Sequence, residues 1–126
     1  MRPVLAGILS FALSLALAGV LGDSIRLGFW EEIGRVSILL LLVVRGGRAG
    51  TKSGFVHGLG ELWAWLIFAP LPWSLWFLLE RFAAVTFHAV LGFTAGWCLA
   101  RRHRLPLALL PLLHSAANAV AALGIR

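Results

Sequence analysis

The sequence predicts an all-α protein, a polytopic membrane bundle of about five transmembrane helices with a cytoplasmic amino terminus. The chain of 126 residues is 60% hydrophobic and 13% charged, with a mean hydropathy of +0.93, which is too apolar for a soluble domain. Five apolar segments approach the roughly 20 residues that cross hydrocarbon. Basic residues cluster in the gaps between these segments, which is typical of cytoplasmic loops.

The five segments comprise residues 3–22, 29–45, 54–69, 73–100 and 105–124. In the first, Arg2 precedes an apolar run with Ala16-Leu17-Ala18, which also fits a cleavable signal. Because the run continues through Leu21, we expect a retained helix; cleavage would leave four spans. We predict a single membrane domain over 1–126, in which 1–28 form the first helix and loop and 29–124 form a four-helix core.

The distribution of basic residues predicts the orientation. With the amino terminus inside, Arg2 and the loops 45–52 and 101–104 place seven Arg or Lys on one side, against Arg26 and Arg126 on the other. The net charge of +6 does not form a solvated face, so we expect no nucleic-acid partner. These patterns indicate an integral membrane protein, which we place in a bacterial or archaeal plasma membrane.

Polar side chains interrupt four of the five segments, most of them at helical spacing. They are His57 with Glu61, His114 with Asn118, Glu31 and Glu32 with Arg35, and the single His88. Residues four apart share one helix face, and ionisable groups at membrane depth are functional candidates unless they merely pair with one another. Helical rise places most of these groups in one layer, provided that the third helix begins near Lys52 or earlier. One shared polar site is the economical interpretation.

Each group also has a purely structural interpretation. Glu31 and Glu32 could mark a membrane boundary with Arg35 as their partner, and His88 could be a core histidine. Glu80 and Arg81 are expected to form a structural ion pair near the outer boundary. Gly54/Gly58 and Gly92/Gly96 have the small-residue spacing that allows close contact between membrane helices.

Four motifs occur in order over approximately residues 29–120. They are Glu31-Glu32-Ile33-Gly34-Arg35, the stretch from Gly54 to Glu61, Glu80-Arg81 with His88, and His114 to Asn118. This arrangement resembles the YhfC family of intramembrane metalloproteases, which is related to PrsW and to the CAAX prenyl proteases. Members of that family are longer, with additional helices before the glutamate pair. The superfamily also includes the gamma-secretase scaffold subunit, which is not itself the catalyst.

The resemblance implies an intramembrane protease that hydrolyses peptide bonds of a membrane-embedded or membrane-proximal substrate. Histidines and carboxylates form the ligand inventory of a hydrolytic metal site, so we expect a divalent metal, most plausibly zinc. The expected ligands are a subset of His57, Glu61, His88 and His114. The expected catalytic residues are Glu31 as the base, assisted by Glu32, with Arg35 holding the carboxylates ionised and Asn118 orienting a ligand or stabilising the oxyanion.

Three alternatives stay open at this point. A glutamate and a histidine could activate the water without metal. A non-catalytic scaffold would use the same polar groups to bind partner helices. Whichever alternative holds, another subunit of a homo- or hetero-oligomer could complete the polar site. A small transporter or proton channel is disfavoured because no inverted repeat is evident.

Overall fold

The computed structural model describes residues 1–22, 24–68 and 74–124, and over these ranges the regular structure is entirely α-helical. The helices are α1 (Arg2–Leu21), α2 (Ser24–Leu41), α3 (Gly47–Phe68), α4 (Leu75–Arg101) and α5 (Arg104–Gly124). The prediction of an all-α fold is confirmed.

Three of the helices are long and apolar enough to cross a membrane: Arg2–Leu21, Leu75–Arg101 and Arg104–Leu123. The other two, α2 and α3, carry most of the charged residues of the predicted polar site, which lowers their mean hydropathy. A membrane protein is therefore supported, whereas five crossings stay a prediction.

Local sequence accounts for several helix ends. Pro3 lies in the first turn of α1, where its missing N–H leaves no helical hydrogen bond unmade. Gly22 ends α1 at φ 60°, a left-handed conformation that glycine adopts readily. The hydroxyl of Ser74 accepts a hydrogen bond from the Phe77 N–H at 3.1 Å and caps the start of α4.

The second and third helices begin earlier than predicted. The expected segments were 29–45 and 54–69, whereas the helices span Ser24–Leu41 and Gly47–Phe68. Most of the expected loop 45–52 is therefore the first turn and a half of α3. Its glycines and small polar residues are poor helix formers in isolation, but they pack closely against α4.

The five helices close into a ring in the order α1, α3, α4, α5, α2, since each contacts its two neighbours in that order. The closest approach joins α3 to α4. A Cβ at Gly50 would overlap the carbonyl oxygen of Gly92, and one at Gly54 would overlap the carbonyl oxygen of His88. The predicted close contact at the small-residue spacings is confirmed.

The polarity of the bundle is inverted relative to a soluble protein. Large apolar side chains such as Leu41, Phe68 and Trp76 lie exposed on the outside, whereas Glu32 and Arg35 are fully buried. An apolar exterior around a polar interior is the arrangement expected of a bundle surrounded by lipid.

Candidate metal and catalytic site

Polar side chains from every helix of the ring converge on its interior. The buried or partly buried members are Ser10 from α1, Glu31, Glu32 and Arg35 from α2, His57 and Glu61 from α3, His88 from α4, and His114 from α5. The ring centroids of His57 and His88 are 4.6 Å apart, and those of His88 and His114 are 5.1 Å apart. The structure therefore brings the predicted site residues of four different helices into one cluster.

Glu61 lies between two imidazoles. Nε2 of His57 is 3.1 Å from one carboxylate oxygen of Glu61, and Nε2 of His88 is 2.8 Å from the other. One ligand atom from each of these three residues lies within 4.8 Å of the others. These side chains are thus close enough to hold one metal ion, and imidazole nitrogen with carboxylate oxygen is a donor set that zinc accepts.

His114, the fourth expected ligand, contacts the glutamate pair instead of Glu61. Its Nε2 lies 3.6 Å from Oε2 of Glu31, and its Nδ1 lies 3.4 Å from Oε2 of Glu32. His114 therefore belongs with the expected catalytic carboxylates, and the triad at Glu61 forms without it.

The two neighbouring glutamates have different surroundings. Arg35 donates a hydrogen bond to Oε2 of Glu32 at 2.9 Å, and both side chains are fully buried. Glu31 faces the cavity described below. Arg35 thus pairs directly with Glu32, whereas Glu31 is the member of the pair that borders the cavity.

Arg35 also contacts His88, and this contact determines where the proton of a neutral His88 ring lies. Nη2 of Arg35 is 2.7 Å from Nδ1 of His88. A guanidinium can only donate, so Nδ1 must accept and the ring proton lies on Nε2. That Nε2–H then donates to Glu61 at 2.8 Å. For His88 to ligate a metal through Nε2, its bond to Arg35 must be released.

A cavity of about 610 Å³ borders the cluster. It lies where α1, α3 and α5 end and α2 and α4 begin, at the end of the bundle opposite the basic residues of 45–52 and 101–104. Phe11, Trp65 and Phe87 contribute apolar walls. The polar residues that line it are Ser14, Glu31, Glu61, His88, His114 and Asn118, together with Glu80 and Arg81.

The expected ion pair of Glu80 and Arg81 is present, with 2.5 Å between Nη2 and Oε1. The guanidinium carbon of Arg81 also lies 4.8 Å from the centroid of the Trp65 ring. Both contacts hold Arg81 in place at the outer part of the cavity.

One member of the cluster was not among the residues predicted from the sequence. Ser10 of α1 is 2% exposed, and its hydroxyl lies 2.8 Å from Nδ1 of His57. Ser10 and Ser14 are four residues apart in an otherwise apolar helix, which was a signal that one face of α1 meets polar groups. The first helix, which the prediction placed outside the four-helix core, therefore contributes a polar contact to that core.

A comparison of the chain with protein-family models, with curated proteins and with solved structures found no match. The fold and the site define a class of protein. It is an α-helical bundle, with helices long and apolar enough to cross a membrane, that encloses a cluster of histidine, glutamate and arginine side chains. The resemblance to the YhfC family stays a prediction from the sequence motifs.

Proposed function

We propose that this protein is an intramembrane hydrolase of five membrane-spanning helices that cleaves peptide bonds within or next to the bilayer. The observation that carries the proposal is the shared cavity: Glu31, Glu61, His88 and His114, from four helices, face one space inside an apolar bundle. Structural ion pairs alone would not require these groups to border an open cavity. Carboxylates and imidazoles around a cavity are the groups that activate water for hydrolysis.

Glu31 is the general base in this proposal. Because Arg35 occupies Glu32, Glu31 is the carboxylate of the pair that faces the cavity. It accepts a proton from water while the water oxygen bonds to the peptide carbonyl carbon. The C–N bond then breaks, and the leaving nitrogen takes up a proton.

His114 and Asn118 support this step from α5. Nε2 of His114 lies 3.6 Å from Oε2 of Glu31, beyond hydrogen-bond distance, so proton exchange between them would pass through one bridging water. Asn118 lines the same cavity, and its amide can donate a hydrogen bond to the carbonyl oxygen as negative charge develops there.

The metal-assisted form of the proposal assigns a divalent ion, most plausibly zinc, to His57, Glu61 and His88. Imidazole nitrogen and carboxylate oxygen atoms within 4.8 Å of one another suit its preferred ligands. Bound zinc would supply Lewis-acid polarisation of water or of the substrate carbonyl. The metal-free form needs only Glu31 and His114.

The test is cleavage of a tagged single-span reporter by purified protein in lipid bilayers. Glu31→Gln is expected to lower kcat by about 10²–10⁴-fold, the usual contribution of a general base. Glu80→Gln makes the same chemical change at a carboxylate paired with Arg81, and it is expected to keep most of the activity.

Retained cleavage in Glu31→Gln would reject the assigned base. If wild-type protein cleaves nothing, and Glu31→Gln instead changes the proteins that copurify with it, the scaffold alternative replaces the hydrolase.

Zinc measured in purified wild-type protein and in His57→Gln distinguishes the two forms of the hydrolase. Stoichiometric zinc that is lost in the variant supports the metal-assisted form.

A further inference from the structure

Ser10 contacts His57 from α1, which lies outside the part of the chain that carries the family motifs. Its hydroxyl has two neighbours: the carbonyl oxygen of Gly7 at 3.0 Å and Nδ1 of His57 at 2.8 Å. A hydroxyl carries one hydrogen and can also accept. Both contacts are hydrogen bonds only if Ser10 donates to the Gly7 carbonyl and accepts from a proton on Nδ1 of His57.

The position of the ring proton determines whether the His57 nitrogen that faces Glu61 is a donor or an acceptor. A neutral imidazole with its proton on Nδ1 has a lone pair on Nε2. That Nε2 lies 3.1 Å from a carboxylate oxygen of Glu61, so two acceptor atoms face each other. Such a pair is stable when a cation lies against both atoms, which is the arrangement that metal ligation requires.

We propose that Ser10 is a positioning residue that holds His57 as the Nδ1–H tautomer, so that its Nε2 and the Glu61 carboxylate together form the principal binding pair for a divalent cation. The cation is the part that rests on the proposed function. The tautomer rests on the two hydrogen bonds of Ser10, and it requires that the 3.1 Å contact between Nε2 of His57 and Glu61 carries no proton. A hydrogen-bond partner that fixes the orientation and tautomer of a metal-binding histidine is a common device in metal sites.

His88 provides the internal contrast. Arg35 donates to its Nδ1 at 2.7 Å, so a neutral His88 carries its proton on Nε2 and is held in the opposite tautomer. Ser10 therefore prepares His57 for a cation, whereas Arg35 keeps a proton on the His88 nitrogen that faces Glu61. The two histidines are not equivalent ligands, although both contact the same carboxylate.

The experiment is ¹⁵N NMR of histidine-labelled full-length protein in bilayers, because nitrogen shifts distinguish protonated from unprotonated ring positions. The chain has four histidines, and the His57 signals are those lost in His57→Gln. Wild-type protein is expected to show the Nδ1–H tautomer at His57 and the Nε2–H tautomer at His88. Ser10→Ala is expected to shift His57 towards the Nε2–H tautomer and leave His88 unchanged.

Two further variants separate positioning from packing. Ser10→Thr keeps the hydroxyl and is expected to restore the wild-type tautomer. Ser53→Ala removes another fully buried serine hydroxyl, one helical turn before His57, and is expected to leave the His57 tautomer unchanged. In a zinc titration against a competing chelator, Ser10→Ala is expected to bind about 10–100-fold more weakly than wild type.

An Nε2–H tautomer at His57 in wild-type protein would overturn the proposal. So would an unchanged tautomer in Ser10→Ala. If wild type shows the expected tautomer but neither binds zinc nor cleaves the reporter, the role of Ser10 in the tautomer stands and the proposed hydrolase fails.

Discussion

The pair formed by Glu32 and Arg35 provides the most direct test of how the polar interior is stabilised. The two side chains are fully buried, with 2.9 Å between donor and acceptor, and Arg35 also donates to His88 at 2.7 Å. Replacing either residue alone with glutamine leaves the other charge buried without its ion-pair partner. Breaking a buried pair in this way costs about 3–5 kcal/mol.

The double variant Glu32→Gln with Arg35→Gln removes both charges together. A glutamine at position 35 is too short to reach His88 as Nη2 of Arg35 does, so the remaining loss is on the order of one buried hydrogen bond, about 1–3 kcal/mol. The two single effects would sum to roughly 6–10 kcal/mol, on the values for a broken buried pair. We therefore expect a coupling energy of at least about 3 kcal/mol, far above the ~0.5 kcal/mol scatter of independent sites.

The assay is reversible unfolding in mixed micelles, followed by circular dichroism, for wild type, both single variants and the double variant. Glu80 and Arg81 provide a control pair of the same charges. Their side chains are 26% and 13% exposed, so the same cycle there is expected to give a coupling energy under about 1 kcal/mol. Additive effects at Glu32 and Arg35, or equal coupling in both pairs, would refute the reasoning.

Three glycine substitutions test the helix packing and its effect on the site. Gly50→Ala is expected to lower the free energy of unfolding by about 1–3 kcal/mol or more, because its Cβ would overlap the backbone of Gly92. Gly19→Ala has open space and should not destabilise the protein, since alanine is favoured over glycine in a helix by about 1 kcal/mol. Equal destabilisation of the two variants would contradict this account. Gly28→Ala places a Cβ 2.6 Å from Nδ2 of Asn118 and 3.2 Å from the His114 backbone, so it should lower kcat in the reporter assay by displacing these α5 groups, with zinc affinity unchanged. An unchanged kcat would remove Asn118 from the mechanism.

The number of helices and their approximate positions in the chain could be predicted, because each apolar run is a local property of the sequence. The start of α3 could not. Residues 47–53 contain glycines and charges that are typical of a loop, and their helical conformation depends on packing against α4. That contact joins Gly50 to Gly92, residues far apart in the chain. The small-residue spacings indicate that helices approach closely, but they do not show which helices meet or where α3 begins.

Contacts between site residues of one helix could likewise be predicted from the sequence, whereas contacts between helices could not. Spacing along one helix predicted that His57 and Glu61 would pair, and they do at 3.1 Å. Spacing could not decide whether Arg35 would pair with Glu31 or Glu32, nor that it would reach His88. Those contacts depend on the order of helices around the ring, in which α2 lies opposite α4.

The placement of the cluster within the bundle connects packing with the proposed chemistry. Towards the basic end, glycine contacts bring α3 and α4 so close that little space is left between them. Towards the other end the helices diverge around the cavity of about 610 Å³. Glu61 and His88 therefore lie where close packing gives way to open space.

With the predicted cytoplasmic amino terminus, the cavity opens on the outer side of the membrane, so water and substrate would approach from there and meet Glu31 and His114 first. A bundle packed equally tightly at both ends would bury the same side chains as inert ion pairs, and one open at both ends would conduct water or ions across the bilayer. A cavity at one end of the polar cluster is the arrangement that the proposed hydrolase requires.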